Sequence, residues 1–350
     1  YQDREARLND FSTDKPSTMA DTVNFSPLNS EWNDKVKAVF KGHSDGFVEG
    51  QPGRFLIPPR FLKLKDKIRN MEVRESDTWI VTYPKCGTTW TQELLWLLNN
   101  NCDFERATIE SAMKRVHFIE FNGLLTDDMY KNMMAANNND LYTGVDIEAI
   151  EASPRDCPRI IKTHLPIYLL PPDLINKCKV VYVARNPRDV AVSYFYHSKL
   201  IGVHGFQGDF SEFFNFFVND KVCYSPYWEH TLEGYQYRNH PNFCFLFFED
   251  MKKDFLSEVQ KVAIFLKTQL STETMTKLSD FLNFDNCKKR WQCHEEVIKN
   301  SGGFSKEGNF YRKGIVGDYV NHFTPEMEAR MTKWEEDNLK GTDFSFPEVN

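Results

Sequence analysis

Residues Thr78 to Trp90 limit the folds open to this chain more sharply than any other stretch. Thr78-Trp79-Ile80-Val81-Thr82-Tyr83 is almost entirely β-branched or aromatic, which suits a strand covered on both faces. Pro84 and Gly87 stop the run. From Thr88 the apolar residues Trp90, Leu94, Leu95, Leu97 and Leu98 fall mostly on one face of a helix. A strand feeding a helix through so short a turn leaves free N–H groups at the helix start, and with the helix dipole they make an anion site. Lys85 adds a full positive charge there, and Thr88 and Thr89 add hydroxyl donors. The expectation is a phosphate held by Lys85, the amides of the Cys86-Gly87 turn and the two threonines. The phosphate loop G-x-x-x-x-G-K-[ST] is absent: the lysine precedes the glycine, and no Ser or Thr follows it directly to hold magnesium.

The alternation of strand and helix recurs. Arg159 to His164 reads as a second strand closed by Leu165-Pro166, and Lys179 to Arg185 as a third. Pro187 then suits the first turn of a helix through Ser198. Asn242 to Phe248 reads as a fourth strand, followed by a helix with Phe255, Val259, Val262, Ala263 and Leu266 on one face. Such alternation predicts an α/β chain with a central parallel sheet flanked by helices. Ligands bind beyond the carboxyl ends of such strands, where Lys85, His164 and Arg185 stand.

Between these elements, residues 101–155 carry no strand signal. Val116, Phe118, Ile119, Phe121, Leu124 and Leu125, then Met129, Met133 and Met134, make the stretch apolar until Asn137-Asn138-Asn139. A connection this long is usually functional, often a lid, and flexible Met and Phe side chains suit an apolar ligand. A peripheral helical layer packed on the core is the other reading. Residues 1–45 read as a loosely held extension that Phe25 and Leu28 could pin. Near the end, Asn309 to Asp318 forms a glycine-punctuated basic loop in which Arg312 and Lys313 suit a phosphate. Thr324 and Pro325 then open a last helix.

A net charge of −7 argues against nucleic acid as a partner, so any anionic ligand must meet a local basic cluster. The eight cysteines include no C-x-x-C pair. Cys287, Cys293 and His294 are too few and too loosely spaced for zinc, so no metal is expected. No apolar run is long enough to span a membrane. The reading is a reduced, cytoplasmic protein.

Four segments, in this order, resemble those of the cytosolic sulfotransferases. They are Tyr83-Pro84-Lys85-x-Gly87-Thr88-Thr89-Trp90, Lys162-Thr163-His164-Leu165-Pro166, Arg185 through Ser193, and Arg312-Lys313-Gly314-x-x-Gly317-Asp318. The resemblance runs from about residue 46 to the end. It implies a single domain over 46–350 with the sulfotransferase fold, related to the nucleotide kinases. It also implies the donor 3′-phosphoadenosine 5′-phosphosulfate (PAPS, leaving PAP) and no metal. By the same resemblance His164 takes the proton of the acceptor alcohol, as an imidazole near its pKa can. Lys85 sits on the leaving oxygen and Lys162 near the sulfonate, acting by preorganised charge. Arg185 and Ser193 hold the 3′-phosphate, completed by Phe310, Arg312, Lys313 and Gly314. Trp90 and Phe284 flank adenine.

The chain departs from the family at several positions. Cys86 replaces a small hydroxyl residue, Phe248 a tyrosine near the base and Leu282 a threonine, so fewer side-chain hydrogen bonds reach adenine. Val320, Pro325 and Ala329 fall in the family's dimer segment, which is not intact, and the oligomeric state stays open. The segment between Trp90 and Lys162 is roughly twenty residues longer than in common vertebrate relatives. That insertion and the amino-terminal extension resemble an insect branch of the family that dehydrates long apolar allylic alcohols such as retinol. An ordinary sulfotransferase giving stable sulfate esters, a nucleotide kinase using ATP and magnesium, and a non-catalytic carrier of apolar ligands are the competing readings. The missing magnesium motif argues against the kinase. Retention of Lys85, Lys162, His164 and Ser193 together argues against the carrier.

Overall fold

The computed structural model describes residues 23–135, 147–300 and 303–348. Among these residues, eight strands form two sheets. β1 (Asn24–Pro27), β2 (Val48–Gln51) and β3 (Phe55–Ile57) make an antiparallel sheet in that order. β4 (Thr78–Thr82), β5 (His117–Phe118), β6 (Ile160–Thr163), β7 (Lys179–Ala184) and β8 (Phe243–Phe247) make a parallel sheet in the order β5-β6-β4-β7-β8.

β4 is the centre of that sheet, and every one of its residues is buried. Its side chains alternate between two cores, Trp79 and Val81 on one face and Ile80 on the other. Helix α1 (Ser30–Val39) lies on the Trp79 side. Helix α2 (Thr88–Asn99) covers the Ile80 side with Leu94, Leu95, Leu97 and Leu98. Helix α3 (Pro187–Leu200) packs Val190, Ala191 and Tyr194 on the Trp79 side. Asn186 caps α3 by accepting from the Arg188 N–H, with Pro187 in its first turn as expected. The last helix, α4 (Pro325–Leu339), begins at the Thr324 cap.

From β4 the chain builds β5 and β6 on one side, then crosses to β7 and β8 on the other. Such a reversal leaves a crevice at the carboxyl ends of the central strands. His164 and Arg185 directly follow β6 and β7, and Lys85 stands in the turn just past β4, so the topology gathers three distant motifs at one place.

Two expectations are corrected. From Asn24 onward the amino-terminal segment is not loosely held. β1 pairs with β2, and Leu28, Val36 and Phe40 are at most 3% exposed. The anchors at 32, 36 and 40 recur at helical spacing within a polar sequence, which hid them. The 101–155 segment does contain a strand: His117-Phe118 extends the sheet edge on β6, a pairing too short to leave a sequence pattern. Asn137-Asn138-Asn139 lies outside the described residues.

Candidate active site

The turn after β4 is shaped by backbone dihedrals. Lys85 (φ 70°) and Gly87 (φ 98°) are both left-handed, a region unusual for a lysine. Alternation of this kind turns successive N–H groups toward one point and makes an anion nest. A side chain at Gly87 would place its Cβ 2.8 Å from the Phe248 ring. The Thr88 and Thr82 hydroxyls lie 2.7 Å apart, tying helix α2 back to β4.

His164, just past β6, is fixed on all sides. Its Nδ1–H donates to the Thr82 carbonyl at 2.8 Å. A carbonyl only accepts, so the neutral ring carries its proton on Nδ1 and leaves Nε2 as a proton acceptor. The His164 N–H donates to the Glu120 carboxylate at 2.7 Å, and its carbonyl lies 3.1 Å from His230 Nε2. Phe118 and Tyr224 stand edge-on at 5.4 Å on the imidazole. Burial, then the charge of Lys162, holds the His164 pKa well below its ordinary value, so the ring stays neutral at physiological pH. Glu120 also accepts from Thr163 Oγ1 at 2.9 Å and from the Tyr224 hydroxyl at 3.2 Å.

Five cations converge nearby: Lys85, Lys162, Arg185, Arg312 and Lys313. Burial, then repulsion from Arg185, Lys162 and Arg312, lowers the Lys85 pKa to about 7. Burial lowers Lys162 to about 8 against the opposing pull of Glu120. The Lys162 ammonium lies 4.0 Å from the centre of the Phe118 ring. Arg185 donates to the carbonyls of Lys85 and Ile315, and its guanidinium lies 4.3 Å from the Phe248 ring. Phe248 is thus a cation–π platform rather than a mere loss of a hydroxyl. Arg312 and Lys313 both donate to Asp318. Burial opposes ionisation of Asp318, but bonds from Lys313, Arg312 and Asn321 hold its carboxyl well below the usual range.

This arrangement fits an adenine nucleotide bearing several phosphates. The buried Arg185 Nε has no partner, although Asp189 lies 3.8 Å from another nitrogen of the same guanidinium. Trp90 donates from Nε1 to the Leu282 carbonyl at 2.9 Å and stacks on Phe255 at 4.9 Å. Gly314 (φ 64°) approaches the Phe284 ring so closely that a Cβ would sit 2.2 Å from it.

A single cavity of about 960 Å³ joins these groups. Lys85, Gly87, Thr88, Thr89, Trp90, Lys162, His164, Arg185, Ser193, Phe248, Leu282, Phe284, Phe310, Arg312, Lys313 and Gly314 all line it. Cys86 does not. Its side chain is fully buried in the core with its thiol pKa raised by burial, so only its backbone faces the turn. The opposite wall is apolar, built by Val116, Phe118, Phe121, Leu124, Leu125 and Met129 of the 101–155 segment. Ile201 and Val203 close it, braced from behind by Gly42, whose N–H donates to the His204 carbonyl. Among the described residues, no group of three metal-ligating side chains occurs, and no helix is long and apolar enough to cross a membrane.

Sequence reading missed Glu120, His230 and His197. Glu120 left one signal, a lone acid in an apolar run. His197 left another: it lies four residues after Ser193 on α3, hence on the same helix face. Its Nδ1 is 3.2 Å from the Lys85 ammonium.

Comparison with known proteins agrees with this geometry. A family model described as the sulfotransferase domain matches residues 75–343. The chain is 34% identical to luciferin sulfotransferase of Photinus pyralis, over 81% of this chain and 77% of the relative. It is 31% identical to amine sulfotransferase of Oryctolagus cuniculus, over 81% and 88%. A crystal structure of retinol dehydratase with androsterone and the inactive cofactor PAP superposes with a TM-score of 0.85 at 32% identity, covering 93% of this chain and 98% of that one. A complex of retinol dehydratase with retinol and PAP gives 0.82 at 32% identity, covering 93% and 99%.

Proposed function

The chain belongs to the sulfotransferase family, and we propose that it transfers the sulfonate group of PAPS to a long apolar alcohol, with retinol as the acceptor. We propose further that the net reaction is loss of water through a transient sulfate ester. The observation that carries the reading is the cavity itself, in which one cationic end and one apolar end share His164.

PAPS supplies an activated sulfonate when bound. The turn amides, Lys85, Arg185, Ser193 and the 310–314 loop would hold its phosphates, and Trp90 and Phe284 its base. His164 does the proton work. Its Nδ1 is committed to Thr82, so Nε2 accepts the alcohol proton. Lys85 and Lys162 place charge where the transferred group becomes more negative. The walls from 101–135 exclude water, which strengthens those charges and protects a reactive ester. In this reading residues 101–155 act as a lid over the acceptor.

The likeness to retinol dehydratase, across nearly the whole of that protein, supports retinoid dehydration. The likeness to luciferin sulfotransferase favours a second reading, in which the sulfate ester is the final product. Mass spectrometry of reactions with PAPS and retinol, a steroid or a simple phenol separates them. A dehydrated retinoid formed only with PAPS supports dehydration. A retained sulfate on every acceptor replaces it with ordinary sulfonation.

A further inference from the structure

The strip of chain just past helix α3 closes the apolar part of the cavity. Ser193, His197 and Ile201 line the cavity in turn at four-residue steps, each about 6 Å further along the helix axis. Ser193 stands with the groups that hold the nucleotide in the reading above, and His197 faces Lys85. Ile201 therefore lies one step beyond, where Gly202, Val203 and Phe304 continue the lining. The strip is laced on both sides. On one side the Gly202 N–H donates to the Gly303 carbonyl at 2.9 Å, and the Ser305 N–H to that of Leu200 at 2.7 Å. On the other side stands the amino-terminal segment. The Lys41 and Gly42 N–H groups donate to the carbonyls of Gly205 and His204, both at 3.1 Å, and the Gln207 N–H donates to Val39 at 2.9 Å. His43 Nε2 and His204 Nδ1 lie 2.9 Å apart in the same seam. Gly42 is the point of closest approach. A Cβ there would fall well under 3.0 Å from the carbonyl oxygens of both Gly202 and Val203, a separation that real Cβ atoms essentially never show. Its φ is not left-handed, so the approach of the strip, not the backbone conformation, leaves no room for a side chain.

We propose that Gly42 is a specificity-determining residue: carrying no side chain, it lets the 201–203 wall stand back and leaves the room that a long apolar alcohol needs. This rests on the transfer reading above, and it holds whether the sulfate ester persists or is lost. A methyl group at position 42 can be accommodated only if its surroundings yield by about 1 Å. The segment behind has nowhere to retreat. Phe40 and Phe47 are at most 2% exposed, with Phe40 against Phe206 at 4.7 Å and Phe47 against His43 at 4.9 Å, and a close-packed core does not compress. The lacing on both sides blocks movement along the wall. The cavity is the one open side, so Gly202 and Val203 shift into it. The acceptor space shrinks, while Lys85, Arg185 and the 310–314 loop keep their places. Gly42 touches neither donor nor acceptor; it acts through the wall. The amino-terminal segment thereby helps to decide which alcohols enter.

The test measures kcat/KM for release of PAP from PAPS with retinol and with a short allylic alcohol, 3-methylbut-2-en-1-ol, and PAP affinity by calorimetry. The proteins are the wild type, Gly42→Ala, and Gly42→Ala combined with Val203→Ala. In Gly42→Ala the value for retinol should fall roughly tenfold to a hundredfold, the usual effect of overfilling a packed site, chiefly through KM. The value for the short alcohol and the PAP affinity should stay within about twofold. Trimming Val203 in the double variant should restore most of the value for retinol. A merely weakened fold would not recover, because a second truncation in a packed region destabilises further. An unchanged ratio of retinol to short alcohol in folded Gly42→Ala, or no recovery in the double variant, overturns the proposal and leaves sulfonate transfer standing. If Gly42→Ala fails to fold, Val203→Phe narrows the same wall from its cavity face, and an unchanged ratio there overturns the proposal equally. A wild type that releases no PAP with either alcohol overturns the transfer reading and this inference with it.

Discussion

Lys85 provides the most direct check on the electrostatics of the site. Burial and the neighbouring Arg185, Lys162 and Arg312 bring its pKa from the ordinary 10.5 to about 7. A bound polyanion such as PAP reverses the repulsion and returns the pKa toward its ordinary value. The group is therefore depressed in the free protein and raised in the complex. Below pH 7 it is protonated in both states and affinity does not depend on it. Above pH 7 the free protein must take up a proton to bind, and affinity falls as pH rises. If its pKa recovers fully, Lys85 alone lowers affinity roughly fifteenfold between pH 7 and 8.5, about 1.6 kcal/mol, and accounts for close to one proton taken up at the upper pH. The range avoids the phosphate's own ionisation near pH ~6. Titration calorimetry in buffers of different ionisation enthalpy counts the protons directly. Lys85→Arg, which stays charged, should remove the Lys85 share of both and leave only the smaller share of Lys162, whose pKa is about 8. Flat affinity without proton uptake by the wild type from pH 7 to 8.5 would refute the reasoning.

Three further outcomes are expected. His164→Ala should lower turnover by roughly 10²–10⁴ while PAP affinity holds; a large loss of affinity in calorimetry would contradict its role as base. Arg185→Ala should weaken PAP about tenfold to a hundredfold, the worth of a charged hydrogen bond, and unchanged binding would remove Arg185 from the phosphate site. Glu120→Ala strips the acceptor from the His164 N–H and from the hydroxyls of Thr163 and Tyr224. At about 1–3 kcal/mol for each stranded buried donor, stability should fall by roughly 3 kcal/mol or more, and a denaturant midpoint unmoved from wild type would show that the network does not brace the site.

The central sheet was legible because β4, β7 and β8 are mostly β-branched or apolar and β6 opens on Ile160-Ile161, each closed by Pro, Asn-Pro or acidic residues, a pattern set by local sequence. β1, β2, β3 and β5 are at most four residues long and owe their conformation to partners far along the chain, so no local signal marks them. The site divides the same way. Lys85, His164 and Arg185 announce themselves because each ends a strand, and topology then brings them together. Cys86 misled because it sits between two residues that face the ligand, while the left-handed turn at Lys85 sends its thiol into the core. Glu120 and His230 act on the backbone of His164 from 44 and 66 residues away, contacts that no spacing rule predicts.

The way the cations are held explains why the site prefers a multiply charged nucleotide. Positive groups gathered in a poorly solvated crevice repel one another, and nothing in that repulsion favours folding. They stay because the scaffold fixes each one separately. Arg185 is anchored by carbonyls of two loops, Lys162 by its place in β6 over Phe118, and Arg312 by Asp318. Lys85 alone has a partner, His197, that an anion can outcompete, since an ammonium bonds a neutral imidazole more weakly than it bonds a charged phosphate. A singly charged ligand would relieve little of the repulsion; one with phosphates at both ends relieves most of it. The least firmly held cation is then the one free to follow the charge that develops on the leaving oxygen, which is where transfer chemistry needs it.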